Sequence, residues 1–428
     1  MMNSKQQNDV VPLVPTMSLE SPPGHNQLAR DQGYRAWLQV LGSFMVFFST
    51  AGMANMFGVY MTFYLDEKKF DASVSAISWI GSLQAALCLA LGIITGPLYD
   101  RGYFYHLVYT GSFLVVLGQM MLSLSSSYYQ AFLSQGVCMG LGAGLALLPS
   151  FCIVVTYFDR HLEVATGIAY MGGGVGGIIL PIIFSQIIYK VGFAWATRVV
   201  GLVLFVPLLI AASVFRPLKK SERPRPSRQF MSWDMFKEPS TVVFLLGVIV
   251  AIMSVNIPAY YVQEYASAIN IKDEVLISYI LPIYLAAYTC GCFGLNALAN
   301  WIGPFNVISV SVGLSGALTW ALVDLNDKGG LVVVVVFLGF LSAAPSSLQP
   351  ACYVKLCPDI QQMGSRMGCG YMASTIGSLV GAPIAGAILD RYGYNPVWIF
   401  SASMSLMGAA IFIISRGFHI GWRTWIKV

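Results

Sequence analysis

Eight polar side chains stand inside otherwise apolar runs of this sequence: Asn55, Gln84, Gln135, Asn256, Tyr284, Tyr288, Gln349 and Tyr353. Amides and phenols donate and accept hydrogen bonds without holding a fixed charge at neutral pH. Such a group is costly to bury without a partner, so each either bonds a neighbouring helix or faces a polar ligand. The chemistry on offer is recognition of a neutral organic molecule. Acid–base catalysis is poorly served, because His25, His106, His161 and His419 fall in tails, loops or helix ends with no acid pair beside them. The eight cysteines (Cys88, Cys138, Cys152, Cys290, Cys292, Cys352, Cys357, Cys369) show neither metal spacing nor a disulfide framework and read as small packing residues. No metal, no cofactor and no enzyme activity is expected.

Three further features bear on a ligand. Tyr260-Tyr261 and the Tyr284/Tyr288 pair, one helical turn apart, can stack on an aromatic substrate or simply pack. Arg198 falls near an outer helix end, where arginine either snorkels to headgroups or draws anions to an outer mouth. Glu264 is the one acid at similar depth on that side and the sole candidate there for carrying a proton.

The elements that must position these residues are membrane helices. Of 428 residues 57% are hydrophobic and 10% charged, with a mean hydropathy of +0.69, whereas soluble domains carry about 25% charged residues. A spanning helix needs about 20 apolar residues. Twelve windows qualify, near Trp37–Tyr64, Val74–Leu98, Tyr105–Leu124, Tyr129–Tyr157, Val164–Ile188, Trp195–Phe215, Thr241–Tyr265, Val275–Ala299, Phe305–Val323, Leu331–Leu356, Met367–Leu389 and Pro396–Ser415. Pro149, Pro181, Pro258, Pro282, Pro345, Pro350 and Pro383 lie within them and would free backbone carbonyls toward a cavity. The predicted division is a polar tail (residues 1–35), a six-helix bundle (36–215), a basic linker (216–239), a second six-helix bundle (240–415) and an interfacial tail (416–428). The N-terminus lacks a signal-peptide pattern. With both termini inside, 17 of the 24 Lys/Arg fall on the inner side and 7 outside, the asymmetry expected of cytosolic termini. No basic patch interleaved with aromatics suggests nucleic acid.

One stretch organises the chain. Thr166–Pro181 reads TGIAYMGGGVGGIILP, and Gly172/Gly176 and Gly173/Gly177 stand at the spacing that lets membrane helices approach closely. Gly172-x-Gly174-x-x-Gly177 also matches a dinucleotide fingerprint, but the strand and βαβ unit that motif needs are missing. Met367–Pro383 reads MGCGYMASTIGSLVGAP, so that Tyr170-Met171 and Tyr371-Met372 each precede glycine-rich apolar sequence and a proline. A repeat of half the chain signals two related halves. Gly172, Gly173, Gly176, Gly177, Gly377 and Gly381 are therefore expected to pack one half on the other.

Twelve helices in two pseudo-symmetric bundles around a basic cytosolic loop resemble the major facilitator superfamily. Gly96-Pro97-Leu98-Tyr99-Asp100-Arg101-Gly102 resembles that superfamily's GxLxDRxG loop, which implies a cytosolic gate at Gly96, Asp100 and Arg101. The counterpart Gly294–Gly303 (GLNALANWIG) has Asn300 where an acid is common, so the latch should be lopsided. Asp31-Gln32-Gly33-Tyr34-Arg35-Ala36-Trp37, Tyr157-Phe158-Asp159-Arg160 leading into Thr166-Gly167-Ile168-Ala169, and Gly192-Phe193-Ala194-Trp195-Ala196-Thr197-Arg198 resemble the monocarboxylate-transporter family, most closely its fungal branch. That resemblance implies a substrate lysine in the first helix and an Asp/Arg pair in the eighth. Asn55 stands at the lysine place, Cys292 at the arginine place, and Val275–Ala299 holds no charge. A carboxylate at mid-membrane needs a cation or a carried proton.

The expected function is alternating-access transport of a small neutral or weakly acidic metabolite, by a monomer in the plasma membrane, with proton coupling and direction open. A transport-inactive sensor on the same fold would be expected to add a long tail, and both tails are short. A proton-coupled monocarboxylate carrier is the other alternative.

Overall fold

A computed structural model describes residues 33–67, 69–70, 72–217, 233–255, 257–268, 274–323, 325, 327–357 and 363–420. Among them every regular element is a helix. In order these are α1 (Tyr34–Tyr64), α2 (Ala76–Asp100), α3 (Phe104–Leu122) and α4 (Tyr128–Tyr157). The stretch Leu162–Val214 runs 53 residues, but Gly192 at φ 77° divides it into α5 (residues 162–191) and α6 (193–214). Then follow α7 (Pro239–Ala268), α8 (Glu274–Ile302), α9 (Pro304–Trp320), α10 (Lys328–Leu356), α11 (Met363–Tyr392) and α12 (Tyr394–Ile420). Each of the twelve apolar windows falls on one of these helices. All reach membrane length except α9, whose 17 residues span about 26 Å at 1.5 Å per residue. The end of the bundle at which α1 starts and α12 finishes is called the terminal face below.

The turns repeat as the sequence does. Gly102 (φ 99°) joins α2 to α3 and Gly303 (φ 92°) joins α8 to α9; Gly192 (φ 77°) and Gly393 (φ 81°) play the same part after α5 and α11. Both pairs are separated by 201 residues, as are Tyr170 and Tyr371. Left-handed backbone is strained for any residue with a Cβ, so glycine at all four corners is a requirement of the tight turns. Two helix irregularities fall beside polar residues singled out above. α1 breaks at Met56, just after Asn55, and α4 contains a π-helical segment, Phe132–Met139, around Gln135.

The glycines expected at the contact between halves do something else. Gly172 and Gly176 sit on the Phe44 and Phe48 carbonyls of α1, Gly173 on Ala51 and Gly177 on Asn55. Gly377 and Gly381 sit on the Ile249 and Met253 carbonyls of α7. All six pack helices within a half, α5 on α1 and α11 on α7, so the half-interface role assigned to them is corrected. Gly176 on Phe48 and Gly377 on Ile249 are repeats of one contact. The cross-half contacts use other faces: Gly167 and Gly174 of α5 meet Asn296 and Thr289 of α8, while Gly92 and Gly96 of α2 meet Gly368 and Gly364 of α11. Four-residue spacing identifies a close-packing face, but α5 has two of them.

Candidate substrate cavity and gate

At the terminal face, α11 begins at Met363 with no acidic residue in its first turn. Its exposed amides need an acceptor, and the positive end of its dipole favours an anion. Asp100, at the end of α2, supplies both: one carboxylate oxygen accepts from the Gly364 amide (3.2 Å) and the other from Ser365 (2.9 Å). Gly96 and Gly364 have no side chains, which allows α2 and α11 to close to this range. Arg101 is exposed at the turn. The cross-half contact between α5 and α8 is made by neutral side chains. Thr166 donates to the Asn296 side-chain oxygen (3.4 Å), and Asn296 donates to Ser347 of α10 (2.6 Å) and to the Cys292 carbonyl (2.7 Å). Here α5 carries its own acid, Glu163, in its first turn.

Arg366 lies one turn further along α11 and is 4% exposed. Its guanidinium grips Glu238, just before α7, through two bonds of 2.8 and 2.7 Å, and also donates to the Leu356 carbonyl (2.8 Å). The Arg366 bonds hold the Glu238 carboxyl below the usual carboxylate range, against the opposing effect of its partial burial.

About 12 Å in from the start of α5, at eight residues of 1.5 Å each, the Tyr170 and Tyr371 hydroxyls meet at 2.9 Å. Both residues are buried. Between this pair and the terminal face, the Cys152 thiol of α4 meets the Met367 sulfur (3.8 Å). On the other side of the pair lie the described polar candidates that keep open surface. Asn55 is exposed and donates to the Gly173 carbonyl (3.4 Å) across to α5. Tyr288 is half-buried beside Thr289, which faces Gly174, and it lies within electrostatic range of Tyr170. Tyr260 leaves 55% of its surface open. Asn55 and Thr289, the neighbour of Tyr288, meet the glycine run of α5 from opposite halves.

Most of the remaining candidates are committed to the protein. Gln349 donates to the Tyr353 hydroxyl (3.0 Å), the Gly370 carbonyl (3.2 Å) and Ser374 (3.0 Å), and Ser374 returns a bond to its carbonyl oxygen (3.2 Å). The Tyr353 ring fills the place a Gly370 side chain would take. Tyr284 donates to Ser342 of α10 (2.7 Å). Gln135 accepts from Tyr64 (2.9 Å) inside the first half. Gln84 is buried, and its side-chain oxygen has no partner among the described residues. Arg198 donates to Ser123 (3.2 Å) and lies 5.0 Å from the Trp195 ring centre, and Glu264 is exposed near Tyr261 and Tyr394. Asn256 lies outside the described residues. The sequence reading missed Arg366, Glu238 and Asn296. An arginine at an inner helix start and an asparagine among small residues were the signals available.

Comparison with known proteins agrees with this architecture. Residues 40–359 match the Major Facilitator Superfamily. The chain is 38% identical over 389 residues to the MFS-type transporter dbaD of Emericella nidulans, covering 90% of this chain and 86% of that one. It is 32% identical to the aspyridones efflux protein apdF of the same organism, covering 89% and 77% of the two chains. Its fold resembles that of the transporter FucP in the outward conformation, with a TM-score of 0.68 at 15% identity over 89% of this chain and 98% of that one.

Proposed function

The chain belongs to the major facilitator superfamily, and on that premise we propose that it exports a small, neutral or weakly acidic organic metabolite by alternating access. The observation that supports this reading is the lack of fixed charge among the polar residues deep in the helices that keep open surface. Asn55, Tyr260 and Tyr288 offer hydrogen bonds and ring faces, and the α8 residues 275–299 beside them hold no charge. A free carboxylate brought to this depth would find no cation, whereas a neutral, partly aromatic compound loses little on leaving water. Export is favoured because a relative sharing 32% identity is named as an efflux protein.

The terminal face is the cytosolic one in this reading, because positive charge is retained there. The motifs around Tyr34, Tyr157 and Gly192 support placement in the monocarboxylate-transporter-like family. Asn55 and Cys292 remove that family's anion-binding charges, so the lactate-type reaction is not carried over.

The test is untargeted metabolite profiling of cells and medium with and without the protein, repeated with a protonophore. A compound trapped inside on deletion supports export, and loss of its gradient with protonophore adds proton coupling. A compound depleted from the medium only when the protein is present would reverse the direction. No change in any compound would overturn the transport reading in favour of a sensor.

A further inference from the structure

We propose that the Tyr170–Tyr371 phenol pair is the inner gate of the cavity, flooring the substrate position in the state seen here and parting when the terminal face opens. The inference rests on the alternating-access reading above. Tyr170 belongs to α5 and Tyr371 to α11, so their 2.9 Å hydrogen bond joins opposite halves of the chain through residues at equivalent places in the repeat. The Tyr170 ring is held by the first half. Tyr170 packs against Phe47 and Phe151, with ring centres 4.5 and 5.3 Å apart, whereas Tyr371 is carried by α11, its Cβ 3.2 Å from where a Gly92 side chain would begin. Movement of α11 away from α2 therefore takes Tyr371 with it and leaves Tyr170 behind.

The pair also divides two kinds of surroundings. Toward the terminal face lie contacts with no open surface: Cys152 on Met367, Gly96 on Gly364, and the Asp100 cap. Away from it lie Asn55, Tyr288 and Tyr260, all with open surface. A substrate reaching those residues meets the phenol pair next. The chemistry suits a joint that opens and closes. A bond between two neutral hydroxyls shifts an equilibrium by about fivefold, so it biases the closed state without locking it. A buried ion pair at the same place would leave two unpaired charges on opening. Removing either hydroxyl loses the same single bond, so the effects of the two changes cannot add.

Cys152 is the native reporter, since it is 1% exposed in this state and sits in the cross-half contact on the terminal side of the pair. The full-length protein in membranes would be treated with N-ethylmaleimide and alkylation followed by peptide mass spectrometry. Tyr371→Phe, Tyr170→Phe and the double variant keep the rings and their packing. Each is expected to raise the Cys152 rate about fivefold, and the double variant by no more than either single one. Cys138, held between α3 and α4 within the first half by a bond to the Leu114 carbonyl (3.4 Å), should not change. Unchanged Cys152 labelling in all three variants would overturn the gate, as would additive effects or a parallel rise at Cys138. The assay needs no substrate. A blank metabolite profile would thus sink the export reading while leaving a positive gate result standing, and flat labelling would sink the gate alone.

Discussion

Asp100 caps a helix that belongs to the other half of the molecule: its carboxylate accepts the Ser365 amide at 2.9 Å across a separation of 265 residues. The symmetric helix α5 needs no such help, because Glu163 already stands in its first turn. The α2–α11 contact at the terminal face thus carries a charge, and the α5–α8 contact is made by the neutral Thr166 and Asn296 side chains.

Asp100→Asn keeps one acceptor and removes the charge facing the α11 dipole. A cap and a dipole interaction are each worth about 1 kcal/mol. The closed terminal face should lose about that much, seen as a several-fold faster alkylation of Cys152. Thermal stability of the purified protein should hardly change, since packing within each half is untouched. Equal labelling in the two proteins would show that the cap does not bias the state.

The glycine contacts separate stability from gating. A Cβ on Gly176 would stand 2.5 Å from the Phe48 carbonyl oxygen and 2.9 Å from the Gly52 Cα, both backbone atoms that cannot step aside. Overpacking of this kind costs about 1–3 kcal/mol. Gly176→Ala should lower the unfolding temperature in detergent. Gly174→Ala meets the Thr289 hydroxyl, a side-chain end in the contact between halves, and should change the transport rate more than the unfolding temperature. The reverse ordering would contradict the assignment of these faces.

Much of this was legible in the sequence, and the illegible part has a physical cause. The repeat could be read from Tyr170-Met171 and Tyr371-Met372, and the twelve helices from apolar length alone. What spacing could not say is which neighbour each glycine face meets, because α5 approaches α1 on one side and α8 on another. A polar residue in an apolar helix bonds a neighbouring helix or faces a ligand, but Gln349 and Asn55 look alike in the sequence. Only the fold distinguishes an amide with three partners from one at a helix break. Glu238 and Arg366 were lost for a different reason: each sits at a helix end, where a lone charge is ordinary.

The Glu238–Arg366 pair should make stability depend on pH in one direction. Bonds from Arg366 depress the Glu238 carboxyl below the usual range, so its stabilisation is fully present at neutral pH. It is lost as pH falls through that lowered value. Glu238→Ala leaves a guanidinium that is 4% exposed without its carboxylate. Loss of one partner from a fully buried pair costs about 3–5 kcal/mol; here about 2 is expected, since Glu238 is 34% exposed and water can reach the gap. Thermal unfolding across pH is the measurement. The variant's deficit should be largest near neutrality and shrink as pH falls through the lowered Glu238 value, and a deficit independent of pH would argue against the ion pair.

Asn55 and Gln349 give the sharpest separation of ligand contact from scaffold. Gln349 spends its side chain on Tyr353, Gly370 and Ser374, so Gln349→Ala strands several buried partners. It should cost about 1–3 kcal/mol of stability, with the apparent affinity of the surviving protein close to that of the parent. Asn55 makes one long bond, 3.4 Å to the Gly173 carbonyl, and keeps exposed surface at the α1 break. Asn55→Ala should leave the unfolding temperature within about 1 °C, because surface changes rarely exceed ±0.5 kcal/mol. Its apparent affinity for the exported compound should fall about tenfold if one hydrogen bond of roughly 1.4 kcal/mol is lost. Both quantities come from uptake into inside-out vesicles and unfolding of the same preparations. If Asn55→Ala transported normally while Gln349→Ala lost affinity without losing stability, the cavity would have to be redrawn around α10 and α11.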